Sequence, residues 1–192
     1  MVWLFFQEVG RKIIHLMILL VLIGYVIIEK SFSKQAALMS LIALLMFFLI
    51  VEYFRLELNW KIPFFSQYIR AKEQNRVIGV IYFLSGTIIS LAVFDFKIAL
   101  AALLMTTFGD MIAALIGKRY GTTLLFRSKT VIGCLSELII DLIVGFIVLN
   151  NVYIVLAMAF TATAVETLVD ELDDNLLVPL FSGFIGQLLL LL

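Results

Sequence analysis

The sequence predicts an all-α polytopic membrane helix bundle with about seven transmembrane helices and a cytoplasmic N-terminus. Three observations predict it. Of 192 residues, 64% are hydrophobic and only 15% charged, with a mean hydropathy of +1.15, whereas a water-soluble domain is about half apolar and a quarter charged. The apolar residues fall into runs near the length of about 20 that crosses a bilayer as a helix. The basic residues alternate between connections, which orients the runs. Lys plus Arg and Asp plus Glu balance at 14 each, so nothing suggests a nucleic-acid partner. A lone Cys134 excludes an internal disulfide framework and a cysteine zinc site. High hydropathy without net charge excludes disorder.

The runs place helices at 13–28, 36–54, 77–94, 98–117, 131–149, 152–168 and 176–192 of a single domain, 1–192. They are apolar on every side and far longer than strands, which favours helices over the weak alternation of a barrel. Several are short, so tilt or local thinning is expected. The first run follows Arg11 and Lys12 but has no small-residue cleavage site after it, so it reads as a retained helix rather than a signal peptide. Alternate connections carry eleven basic residues, from Arg11 and Lys12 through the 55–76 segment to Lys118, Arg119, Arg127 and Lys129, against Lys30, Lys34 and Lys97 on the other side. The richer side is cytoplasmic. Residues 55–76 mix Trp60, Phe64, Phe65 and Tyr68 with basic residues after Pro63, as an interfacial helix does.

Carboxylates inside a bilayer cost roughly 2.5–3.5 kcal/mol each on insertion scales and mark functional sites by default. Here they are Asp110, Glu137, Asp141 and Glu166. At the helical rise, Asp110 lies about 12 Å below Lys118, Glu137 about 12 Å below Lys129, and Glu166 about 10 Å before Asp173 if the sixth helix continues that far. Acids from three helices therefore share one depth beneath a basic rim. Carboxylates hold Mg²⁺, Mg²⁺ bridges phosphate oxygens, and Lys and Arg neutralise the rest, so phosphate chemistry is the leading expectation. Glu137 reads either as a structural acid paired within the bundle or as a site contact, and Asp141, one turn deeper, as structural.

The connection FGDMIAALIGKRYG, continuing to RSKTVIG, brackets Lys118 and Arg119 with Gly117 and Gly121, which permits a tight turn against a ligand. Lys129 and Thr130 open the fifth helix, where backbone amides attract anions. A Walker A loop is absent. The connection VETLVDELDDNLLVPL carries five acids in nine residues. On a continuous helix Thr163, Glu166, Thr167, Asp170 and Asp173 or Asp174 form one polar stripe, which needs compensating cations. At the other end Glu8, Arg11, Lys12 and His15 share a face, with His15 a candidate phosphate contact or proton carrier.

With these residues in hand, the chain resembles the membrane-embedded polyprenol kinase family, which includes dolichol kinase, phytol kinase and the CTP-using diacylglycerol kinase of fungi. The matching pieces are RKIIH; RAKEQNRVIGVIYFLSG, which contains Glu73; GDMIAALIGKRYG with SKTVIG; and VETLVDELDDNLLVPL. They occur in the family's order and cover most of the chain. The resemblance implies Mg²⁺-dependent transfer of the γ-phosphate of CTP, or another nucleotide, to the hydroxyl of a lipid alcohol: a polyprenol, phytol or dolichol type, or diacylglycerol. It implies a metal and nucleotide centre of Asp110, Glu166, Asp173, Asp174 and Asn175, with Lys118, Arg119, Lys129 and Thr130 on the nucleotide. Asp110 or Asp174 is the catalytic carboxylate, and Arg11, Lys12, His15, Glu73 and Glu137 are further contacts. The expected setting is a prokaryotic plasma membrane with the site facing the cytoplasm. One departure stands out: many relatives carry Glu-Gly after the SK-T element, where this chain has Ile132 before Gly133, and Glu137 is the candidate replacement. The alternatives are a CTP-dependent lipid cytidylyltransferase and, from a different class, an ion-coupled transporter.

Overall fold

Short polar side chains set where the helices begin. In the computed structural model, which describes residues 16, 18–58, 76–127, 129–169 and 172–192, α1 is Ile18–Ser31 and α2 is Lys34–Glu57. The Ser33 hydroxyl caps α2, accepting from the Ala36 amide at 3.1 Å. Next come α3, Gly79–Val93, and α4, Phe96–Tyr120, capped by Asp95, which accepts from the Lys97 amide at 3.0 Å. Thr130 caps α5, Val131–Val148, Asn151 caps α6, Val152–Leu168, and Asp173 caps α7, Asp174–Leu191. Each cap satisfies an amide that the first turn leaves without a helical partner.

Among the described residues the chain is all-α apart from one antiparallel ladder between α4 and α5, β1 (Leu124–Phe126) with β2 (Lys129–Thr130). Arg127 turns the hairpin with φ of 50°, a left-handed conformation that costs a side-chain-bearing residue roughly 1–2 kcal/mol. Its guanidinium lies 5.2 Å from the Phe126 ring centre.

Two compact units divide the chain, 1–88 and 89–192. In the first, α1 packs on α2, burying Leu22, Tyr25, Ala37 and Leu41. Near the end of α2 a buried Glu52 takes two 2.7 Å bonds from Arg55 and a 2.9 Å bond from the Ile78 amide. Arg55 also donates to the Arg76 carbonyl at 2.7 Å. The two flanks of the 59–75 segment are therefore tied to one ion pair. The interfacial helix expected within 55–76 lies mostly outside the described residues.

In the second unit α4 packs against α5, α6 and α7, while α6 also packs on α5 and α7. Small residues of α4, including Ala99, Ala101, Ala102, Gly109 and Ala113, are buried and let its neighbours approach closely. Helix α5 turns Gly133, Cys134, Glu137, Asp141, Val144 and Gly145 inward and Leu135, Ile139, Ile143 and Phe146 outward. Its acids are inside and its large apolar side chains outside, the inverse of a water-soluble helix. Outward apolar stripes recur at Tyr153, Leu156 and Phe160 of α6 and at Phe181, Phe184 and Leu188 of α7. Among the described residues four helices, α2, α4, α5 and α7, are long and apolar enough to cross a membrane, and α3 and α6 are shorter apolar helices.

Candidate functional site

Four elements of the second unit deliver one polar cluster. Asp110 lies mid-way along α4 and is half-buried; Glu166, on the last full turn of α6, is 2% exposed; Asp174 opens α7. Carboxylate oxygens of these three residues lie within 4.8 Å of one another. Helix α6 stops at Leu168 rather than continuing the polar stripe toward Asp173. The break lets α7 start anew, so that Asp174 reaches Glu166 from a different helix. An acid in the first turn of α7 also faces the positive end of the helix dipole.

Three carboxylates that close repel by about 3–4 kcal/mol per pair at the effective dielectric of a protein surface. Lys129, on β2, forms an ion pair with Glu166. Burial pulls its pKa down, but the charge of Glu166, its hydrogen bond, and the charges of Asp174 and Asp110 together outweigh burial. The ammonium is therefore held above the ordinary lysine value and stays charged at neutral pH. Hard oxygen donors at this spacing fit a divalent cation. Opposite oxygens on Mg²⁺ are about 4.2 Å apart, so small adjustments would close the three around one ion.

The remaining residues fall into place around this cluster. Asp173 is not one of the three: its Oδ1 accepts from the Asn175 amide at 3.1 Å and from Asn175 Nδ2 at 2.6 Å. Asn175 is buried and holds this cap. The Thr130 hydroxyl accepts from the Gly133 amide at 3.2 Å, which sets the start of α5. Lys118 and Arg119 are exposed in the last turn of α4, with the Arg119 guanidinium 5.4 Å from the Tyr120 ring centre. A Cβ on Gly117 would stand 2.9 Å from Thr130 Oγ1, and one on Gly133 3.1 Å from the Ala113 carbonyl. Bare glycines at both positions bring the α4 end, the basic turn and the α5 start together. Arg11, Lys12, His15, Glu73, Asp170 and Glu171 lie outside the described residues.

Below the cluster the polar line continues. Glu137 and Asp141 are 2% and 1% exposed. Glu137 lies within electrostatic reach of Glu166, Asp141 and Lys129, and Asp141 Oδ2 accepts from Thr163 at 3.3 Å. Glu137 Oε2 and Asp141 Oδ1 have no hydrogen-bond partner among the described residues. Ile132, just before Gly133, is exposed. Sequence reasoning missed Glu52, whose spacing of three from Arg55 was the available signal.

Comparison with known proteins adds one relative. The chain is 28% identical over 187 residues to an uncharacterized protein of Methanocaldococcus jannaschii, an alignment covering 93% of this chain and 92% of that one. The likeness therefore extends across both chains. No protein-family profile matches the chain, and no solved structure matches it.

Proposed function

We propose that this chain is an integral membrane protein with about seven spans and a cytoplasmic N-terminus, and that it is a lipid-alcohol kinase. Support for the membrane setting comes from the inverted polarity of α5, α6 and α7, which lipid would stabilise and water would not. The observation that carries the kinase reading is the meeting of Asp110, Glu166 and Asp174 within 4.8 Å beside Lys129. The donor in this reading is CTP or another nucleoside triphosphate, and the acceptor is the hydroxyl of an isoprenoid alcohol or diacylglycerol.

Asp110, Glu166 and Asp174 hold Mg²⁺, which when bound neutralises phosphate oxygens and orients them for in-line transfer. Lys129, fixed by Glu166, keeps a positive charge at the mouth of the cluster. Lys118 and Arg119, on the exposed end of α4, draw the polyphosphate from water. Asp110 or Asp174 accepts the proton of the alcohol as the phosphoryl group leaves the nucleotide. The lipid arrives sideways between apolar helix faces, so the chain's contribution is positioning and electrostatics. Product analysis tests the reaction type: a kinase yields a lipid monophosphate and the nucleoside diphosphate, whereas release of pyrophosphate would identify a cytidylyltransferase.

A second reading is favoured by Glu137 and Asp141, which extend the acids inward as an ion path would. An ion-coupled transporter would take up solute in an ion gradient without nucleotide. Stabilisation of the purified chain by nucleotide with Mg²⁺, and no ion-driven uptake into vesicles, separates the kinase from it.

A further inference from the structure

Beyond the cluster at the helix ends, Glu137 and Asp141 stand one helical turn apart on α5, both almost fully buried. They converge on a single place. A Cβ added to Gly109 of α4 would lie 2.6 Å from Asp141 Oδ1 and 3.2 Å from Glu137 Cγ. The missing side chain of Gly109 thus leaves a cradle on α4, against which the Asp141 carboxylate and the Glu137 methylene stem pack. One oxygen of each, Glu137 Oε2 and Asp141 Oδ1, is buried with no hydrogen-bond partner among the described residues. Thr163 supplies a hydroxyl on the α6 side, 3.3 Å from Asp141 Oδ2. Buried carboxyl oxygens without partners are costly for a fold to carry, and a bound cation supplies what both lack.

We propose that Glu137 and Asp141, with Thr163 at their edge, form a second divalent-cation site in the cradle of Gly109, deeper than the Asp110, Glu166 and Asp174 group. Glu137 feels the charges of both Glu166 and Asp141 and so stands between the two sites. All-oxygen donors suit Mg²⁺ or Mn²⁺ rather than a softer metal. The inner ion does not depend on the kinase reading, because a transporter would use the same oxygens.

The test counts Mn²⁺ bound to the full-length chain in lipid nanodiscs by electron paramagnetic resonance after equilibrium dialysis. Two ions per chain are expected, falling to one in the Glu137→Gln, Asp141→Asn double variant. Gly109→Ala keeps every acid but fills the cradle, and it too is expected to bind one ion, which decides the matter if the double variant does not fold. One ion on the native chain, or two retained by the double variant, overturns the proposal. Lipid phosphorylation by a chain that binds one ion would overturn this site alone; two bound ions without phosphorylation would overturn the kinase reading alone.

Discussion

Replacing Lys129 with Met keeps the length of the side chain and removes its charge. Glu166, 2% exposed on its side chain, then loses its ion-pair partner while Asp110 and Asp174 remain within 4.8 Å. Breaking a buried pair by deleting one partner costs about 3–5 kcal/mol. The Lys129 side chain is 33% exposed, so water recovers part of this and the lower end, about 3 kcal/mol, applies. At roughly 2–4 °C per kcal/mol for a chain of this size, Lys129→Met lowers the melting temperature by about 6–12 °C in EDTA. Saturating Mg²⁺ returns much of the difference, because the ion takes over the neutralising role. Lys129→Arg, which keeps the charge, stays close to the native chain in EDTA. The assay is thermal unfolding in detergent or nanodiscs, with and without Mg²⁺. A Lys129→Met chain that melts with the native chain in EDTA would refute the claim that this ammonium holds the cluster together.

Three further outcomes follow from the same geometry. Alanine at Asp110 or Asp174 reduces lipid phosphorylation by roughly 100-fold or more while the chain stays folded, measured as turnover beside a melting curve; normal turnover in both variants rules out their role. Glu52→Gln loses the paired bonds from Arg55 and weakens the hold on the Ile78 amide, lowering stability by about 3 kcal/mol; unchanged melting would show that the pair ties nothing together. The folded-state pKa of Lys129 lies above its ordinary 10.5, so the stability it supplies is fully present below that ordinary value and is progressively lost as pH rises from it through the folded one. The gap in melting temperature between native and Lys129→Met chains should therefore stay constant from pH 8 to about 10 and narrow above that; narrowing below pH 9 would contradict the raised value.

Helix placement was readable from the sequence wherever an apolar run meets a capping residue. The sixth run, 152–168, matches α6 at both ends because Asn151 caps one and the run itself ends at the other. At α7 the expected start at 176 falls two residues late, because Asp173 and Asp174 look like connection residues yet serve as cap and first turn. The β1–β2 hairpin was not readable, since strands of three and two residues carry no periodic signal and only tertiary packing holds Lys129 over Glu166. Asp110 and Glu166 stand out in the sequence as ionisable residues among apolar ones, and Asp174 and Lys129 as members of charged connections. Which of the adjacent Asp173 and Asp174 faces Glu166 depends on where α6 stops. The convergence of Glu137 and Asp141 on Gly109 needs the α4–α5 packing, which no single helix encodes.

The most direct measurement is transfer of label from γ-labelled CTP, with ATP in parallel, to phytol, geranylgeraniol, a longer polyprenol or diacylglycerol by the purified chain with Mg²⁺. Label in the extractable lipid, lost in Asp174→Ala, is the expected result; no label in any lipid, with nucleotide failing to shift the melting temperature, would contradict the kinase reading.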